Sequence, residues 1–270
     1  MLPDADRVTR LIEEAAAAEI MPRFRRLAAA DVREKGPGDL VTIADEAVEA
    51  RLAPLLTSLV SGSIVVGEEA AAADPNLLNR LLDDRPVWII DPVDGTSNFA
   101  EGRPAFAVMV ALVRGVEIVA AWIHDPVGAR TAVAAAGEGA WLGGRRLAVA
   151  PRPGDASDMA GVLLSGFFGS RELGRRIDAR RSRVRALRSM RCAGLEYLRL
   201  ASGEMHFSLF TKLMPWDHAP GVLLHREAGG HAAYLEGGAY EPAAIKRSGL
   251  LLAPDPESWH QLHGLLLGDD

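Results

Sequence analysis

Cysteine is almost missing from this 270-residue chain: Cys192 stands alone, which excludes an internal disulfide and any multi-cysteine zinc site. Long apolar runs are missing too. None approaches the roughly 18 residues that a membrane helix needs. The opening residues Met1-Leu2-Pro3-Asp4-Ala5-Asp6 bring acids early, with no basic stretch followed by an apolar one. No secretory leader is read there, and a soluble, cytoplasmic protein is expected. Positive charge is in deficit, 30 Lys and Arg against 36 Asp and Glu for a net −6. That balance argues against a dedicated nucleic-acid binder, although not against a local basic patch. No Gly-x-Gly-x-x-Gly, P-loop or Gly-x-Ser-x-Gly motif occurs, which disfavours dinucleotide, nucleoside-triphosphate and serine-hydrolase chemistry. His206, His218, His225 and His231 form no metal-type pair with an acidic partner and read as structural.

What is present is an ordinary globular composition, 49% apolar and 24% charged, in a chain long enough for a large core and near the size at which cores divide. Val8, Leu11, Ile12, Ala15, Ala16 and Ile20 recur at helical spacing, which predicts one amphipathic helix from residue 4 to about 30. Lys35 to Asp39 reads as a loop. A second helix follows Asp45, with Ala47, Val48, Ala50, Leu52 and Leu55 as its apolar face. Short strands are expected at 63–66 and 87–90, and strands separated by turns from 105 to about 149. Pro151-Arg152-Pro153-Gly154-Asp155 is the best linker, and beyond it strand and helix signals alternate. These signals predict a layered α/β chain of two sub-domains, 1–150 and 151–270.

One stretch is more informative than the rest. Trp88-Ile89-Ile90-Asp91-Pro92-Val93-Asp94-Gly95-Thr96-Ser97-Asn98-Phe99 reads as a buried strand that ends in two carboxylates and a turn. Asp45, Glu68 and Asp217 stand in similar places, at a strand end or a helix start. Singly, each has a plain explanation: helix caps for Asp45 and Asp217, loop charges at Glu68-Glu69, a turn at Asp91 to Gly95. Together they resist it, because several carboxylates at the ends of buried strands need a cation to compensate them.

These residues resemble the inositol monophosphatase family. Gly67-Glu68-Glu69, the stretch from Trp88 to Phe99, and Trp216-Asp217-His218-Ala219-Pro220-Gly221 with Glu227-Ala228-Gly229-Gly230 match its three ordered motifs; Lys35 and Asp39-Leu40-Val41-Thr42 with Asp45 fit its N-terminal segment. The resemblance implies an αβαβα sandwich and a Mg2+-dependent phosphomonoesterase with two or three ions per site. It implies that Glu68, Asp91 and the Val93 carbonyl hold one ion, and that Asp91, Asp94 and Asp217 hold a second. Glu68 and Thr96, the latter oriented by Asp45, would position and deprotonate the attacking water, and Gly95 and Thr96 would cradle the phosphate. A small polyol or sugar phosphate of the inositol 1-phosphate kind is the implied substrate, and a homodimer the implied assembly.

The resemblance lapses where the family recognises substrate. Arg191-Cys192-Ala193-Gly194 replaces a Gly-Thr-Ala-Ala-like run, and Phe210 occupies the position of a hydroxyl-binding Glu, with Thr211 and Lys212 beside it. Phe cannot accept a hydrogen bond. Arg191 and Lys212 are candidates for a second anionic group, which leaves fructose 1,6-bisphosphate, histidinol phosphate or a 3′-phosphonucleotide as alternative substrates. Cys192 reads as a packed or pocket-lining thiol. Nine arginines between Arg171 and Arg191 read as an exposed basic helix face and strand, with RNA or protein binding as the sharper alternative.

Overall fold

The computed structural model describes residues 2–36, 38–164 and 171–268. Pro37, within the expected loop, lies outside them. The first helix, α1 (Ala5–Ala15), continues through a π-helical turn, Ala16–Ile20. A hairpin of β1 (Val32–Gly36) and β2 (Asp39–Thr42) leads into α2 (Ile43–Leu59). Next come β3 (Ile64–Gly67), α3 (Glu68–Ala73), a 3₁₀ stretch Pro75–Leu82, β4 (Val87–Asp94) and α4 (Thr96–Ala100). The meander that follows contains β5 (Ala107–Arg114), β6 (Glu117–Asp125), β7 (Arg130–Ala135), β8 (Gly139–Leu142) and β9 (Arg145–Arg146). Past Pro151 to Asp155 lie β10 (Ala160–Leu164), α5 (Arg171–Ala179), β11 (Arg185–Ala186), α6 (Ala193–Ala201) and β12 (Phe207–Phe210). The chain closes with α7 (Pro215–Glu227), β13 (His231–Tyr234), β14 (Leu250–Ala253) and α8 (Pro256–Leu267).

Besides the β1–β2 hairpin, two larger sheets form among the described residues, one before the Pro151 segment and one after it. The first has seven strands in the order β3-β4-β5-β6-β7-β8-β9, the second five in the order β11-β10-β12-β14-β13. Strand periodicity assigns their faces. Trp88, Ile90, Val108 and Val110 point toward α1 and α2, whereas Val87, Ile89, Met109 and Ala111 point toward α6 and α7. The second sheet covers the other side of α6 and α7, and α5 and α8 cover its outer face. The result is the expected αβαβα stack. Helix α7, between the sheets, is buried from Pro215 to Trp216 and again from His218 to His225, so it shows no amphipathic stripe. Among the described residues no helix is long and apolar enough to cross a membrane.

Several local expectations need correction. The first helix stops near Ile20 rather than 30, because Pro22 lacks the N–H that would extend it and Arg25 takes a left-handed φ of 61°. The expected loop at Lys35 to Asp39 is the hairpin tip, with Gly36 paired to Asp39. On α2 the buried line is Ala44, Val48, Leu52 and Leu56; Leu55 falls off this four-residue repeat and is exposed. Asp45 is not the helix cap. Thr42 is, and Asp45 closes a capping box from the third position.

Candidate active site

The site begins with an irregularity in β4. Asp91 pairs with Met109 and Asp94 with Ala107, so three steps along β4 answer two along β5. In a regular strand, residues three apart face opposite sides. The extra residue of this bulge restores them to one face, because Met109 and Ala107 both face α6 and α7. Both carboxylates therefore meet Asp217 from the first turn of α7. Oxygens of Asp91, Asp94 and Asp217 lie within 4.8 Å of one another.

Electrostatics make this cluster strained without a cation. Burial, and then the charge of Glu68, push Asp217 up to about 8; the same causes raise Asp91 well above the ordinary carboxylate range. Asp91 Oδ1 is buried without a hydrogen-bond partner among the described residues. Asp94 is better provided for. It accepts from Cys192 Sγ at 2.9 Å, Ala193 N at 3.1 Å and Gly194 N at 2.6 Å, at the start of α6. Close approach there needs Gly194, whose Cβ would stand 3.0 Å from Ala107 Cβ and 3.2 Å from Asp94 Oδ2. The converging donors are all oxygens, with an orphaned one among them, which fits a hard divalent cation.

Two buried carboxylates of α2 hold the flanks. Asp45 Oδ2 accepts from Thr42 N at 2.9 Å and Thr42 Oγ1 at 2.5 Å, while its Oδ1 lies 3.1 Å from Thr96 Oγ1. Burial raises Asp45 to about 7, against the opposing pull of the Thr42 hydroxyl. With Oδ2 occupied, the proton of a neutral Asp45 sits on Oδ1, facing Thr96. The Thr96 hydroxyl then turns its hydrogen to the Val93 carbonyl, 3.0 Å away. One turn along α2, Glu49 accepts from Glu69 N and Ala70 N, each at 2.9 Å, and so starts α3. This explains Gly67, since a Cβ there would fall 2.2 Å from the Glu49 carboxyl carbon. Glu68 stays half-buried beside the cluster, and Lys35 Nζ bridges it to Glu69 at 2.9 Å each. Sequence reasoning missed Glu49; its i, i+4 spacing from Asp45 was the available signal.

The substrate-side candidates separate. Gly95 takes φ 88°, and a Cβ on it would meet the Ala105 carbonyl at 2.8 Å and the Arg191 carbonyl at 3.3 Å. Buried Asn98 donates from Nδ2 to the carbonyls of Ala105 (2.7 Å), Met190 (2.8 Å) and Arg191 (3.1 Å), tying the β4 motif to the segment before α6. That tie was also missed. Arg191 is exposed at a left-handed φ of 55°, and half-buried Lys212 lowers the pKa of Asp217 by its charge. Cys192 and Ala193 touch Asp94. Phe210 does not join them: its ring is buried, stacked on Tyr197 at 5.4 Å and edge-on to His218 at 4.7 Å. The alternation of β12 turns it into the core between the sheets.

Five layers and a carboxylate cluster at a bulged strand end define a layered α/β protein with a candidate hard-cation site. Comparison with known proteins is more specific: residues 4–268 match the inositol monophosphatase family, and the chain belongs to that family of phosphatases, which implies a divalent metal. It is 38% identical over 210 residues to a Mesorhizobium japonicum protein named inositol-1-monophosphatase, covering 76% of this chain and 75% of that one. It is also 30% identical over 224 residues to the Nus factor SuhB of Xylella fastidiosa, covering 81% and 77%. Among solved structures it resembles a Thermotoga maritima IMPase, with TM-score 0.78, 23% identity and 96% of each chain covered. A Staphylococcus aureus IMPase-II with bound inositol monophosphate matches with TM-score 0.75, 22% identity and coverage of 97% and 90%.

Proposed function

We propose that this protein is a Mg2+-dependent phosphomonoesterase acting on a small polyol or sugar phosphate. The observation that carries the reading is the all-oxygen cluster of Asp91, Asp94 and Asp217 beside the Thr96–Asp45 pair. Asp91, Asp94 and Asp217, with Glu68 and the Val93 carbonyl, are the residues that would hold Mg2+. The bound ions supply positive charge to a phosphoryl group whose transfer depends mainly on positioning and charge neutralisation. Gly95 and Thr96 N–H groups orient the phosphate. Thr96 Oγ1, its hydrogen directed to Asp45 once that carboxyl is ionised and to the Val93 carbonyl while it is neutral, presents lone pairs to an attacking water, and Glu68 accepts the proton. In this reading residues 1–150 carry most metal ligands and residues 151–270 contribute Asp217 and the substrate contacts. A cytoplasmic homodimer is the form the family resemblance implies.

Phosphate release from inositol 1-phosphate, followed with and without Mg2+, tests this. Asp91→Asn should cost several kcal/mol of the barrier, on the order of a thousandfold in rate. Wild-type turnover by that variant would sink the assignment. A second reading keeps the chemistry and changes the substrate, and two observations favour it. Phe210 offers no acceptor to a sugar hydroxyl, and Arg191, whose carbonyl lies beside Gly95, has an exposed side chain. Fructose 1,6-bisphosphate, histidinol phosphate and a 3′-phosphonucleotide are the comparison substrates, and a clear kcat/KM preference for inositol 1-phosphate would dismiss it.

A further inference from the structure

The proposed reaction leaves the arginine-rich segment unused. From Arg171 to Arg191 nine arginines face two acids, a local charge of +7 in a chain whose net charge is −6. The segment contains no lysine. Arg171, Arg175, Arg176, Arg181, Arg183, Arg185, Arg188 and Arg191 are all exposed. Some exposed arginines elsewhere have an acid beside them, as Arg33 has Glu46, Arg85 has Asp83, Arg130 has Asp125 and Arg152 has Glu257. Here, among the described residues, no carboxylate pairs with Arg171, Arg175, Arg185, Arg188 or Arg191. Their elements adjoin: α5 packs on the 3₁₀ turn Arg181–Arg183, which packs on β11. Among the described residues strand β11 is an edge of its sheet, paired only with β10. The stripe then follows the chain to Arg191, whose carbonyl Asn98 holds next to Gly95.

We infer that this stripe of exposed arginines binds the phosphodiester backbone of single-stranded nucleic acid, along a path that ends at the mouth of the acidic site. Charge complementarity selects the partner. None of the exposed large apolar residues falls between 171 and 191, so the surface lacks the anchors of a protein hot spot and the apolar face of a membrane-bound helix. Affinity there has to come from repeated charge. Arginine adds a planar fork that meets phosphate oxygens in pairs and stacks on unpaired bases, which lysine does not. A duplex is read by an element inserted into a groove. This stripe instead crosses a short helix, a turn, an edge strand and a loop, a contour that only a flexible strand follows.

The test is fluorescence anisotropy of the full chain with an oligouridylate of about 20 nucleotides, at salt from about 50 to 200 mM. Each neutralised phosphate contributes about −0.7 to the log–log salt slope on single strands, so five arginines give a slope near −3.5 and roughly a hundredfold loss over that range. Charge reversal at Arg171, Arg175, Arg185 and Arg188 together should abolish binding while leaving phosphate-ester hydrolysis unchanged. The same four positions as Gln, a milder change, should flatten the slope to about −0.7. Single-stranded DNA of equal length, a duplex, polyglutamate and anionic vesicles complete the panel; comparable binding of either single strand supports the inference. No binding at low salt, unchanged binding after charge reversal, or preference for duplex, polyglutamate or vesicles would overturn it. So would a salt-dependent fall in kcat/KM without nucleic-acid binding, which would make the stripe a guide for small anionic substrates. None of these outcomes bears on whether Asp91→Asn abolishes hydrolysis, so the two readings stand or fall separately.

Discussion

Asp45 and Glu49 lie one helical turn apart on α2, and each holds a different flank of the cluster. Asp45 directs the Thr96 hydroxyl. Glu49 uses both oxygens to start α3, and with it sets where Glu68 begins. The pairing with two N–H groups makes charge and shape separable. Glu49→Gln keeps the volume but sets an amide N–H₂ against one of those donors, leaving a buried N–H unsatisfied at about 1–3 kcal/mol. Mg2+ affinity should weaken about 10–100-fold, the effect typical of disturbing groups behind a metal ligand. Isothermal titration with Mg2+ checks this. An unchanged affinity with only a lower Tm would reduce Glu49 to a structural cap.

Between elements, α6 and α7 cross closely inside the sandwich. Gly221 allows it: a Cβ there would lie 2.1 Å from the ring of Tyr197, which is fully buried and hydrogen-bonded to His218 Nδ1 at 3.0 Å. Gly221→Ala therefore sets two effects against each other. Helix propensity gains about 1 kcal/mol, while overpacking a filled core costs about 1–3 kcal/mol and usually more when a ring is trapped. The clash should win, lowering Tm by several degrees in a thermal melt. A rise in Tm would mean that the two helices separate easily. The same crossing seats Asp217 opposite Asp91, so metal affinity should fall along with stability. Glu227, from the motif at the far end of α7, works away from the site: it accepts from Gly137 N at 2.9 Å and Gly139 N at 2.8 Å and clamps the turn between β7 and β8.

Over the whole molecule, buried titratable groups couple stability to pH. Asp45 near 7 and Asp217 near 8 keep protons in the folded state that the unfolded chain releases at about 4, so their contribution to stability falls as pH rises from about 4 to 8. His218 and His225, both lowered to about 4 by burial, act the other way, adding stability as pH rises from about 4 to 6.5. The two effects oppose below about 6.5, and only the carboxylates act above it. Metal-free protein should therefore lose Tm between roughly pH 6.5 and 8, and Mg2+, which binds the ionised cluster, should restore it at pH 8 far more than at pH 5. Differential scanning fluorimetry at both pH values checks this. Equal Mg2+ stabilisation at the two would show that the cluster is not what binds the ion.

Read alone, the sequence determined the layered α/β class, the buried strand that carries Asp91, and the acids of the candidate metal site. Those properties are written in local periodicity and in motif spacing, which neighbours along the chain express without help. It also located where the residues depart from the family's pattern, at Arg191 and Phe210. Only the tertiary structure decided that a bulge turns Asp91 and Asp94 to one face, that Glu49 starts α3, that Asn98 ties residues 190 and 191 to Gly95, and that Phe210 faces the core. Each of these depends on a partner far away in sequence. Cross-strand register, a cap supplied by another helix and the face on which a short strand is covered arise when elements meet, and no local pattern encodes them.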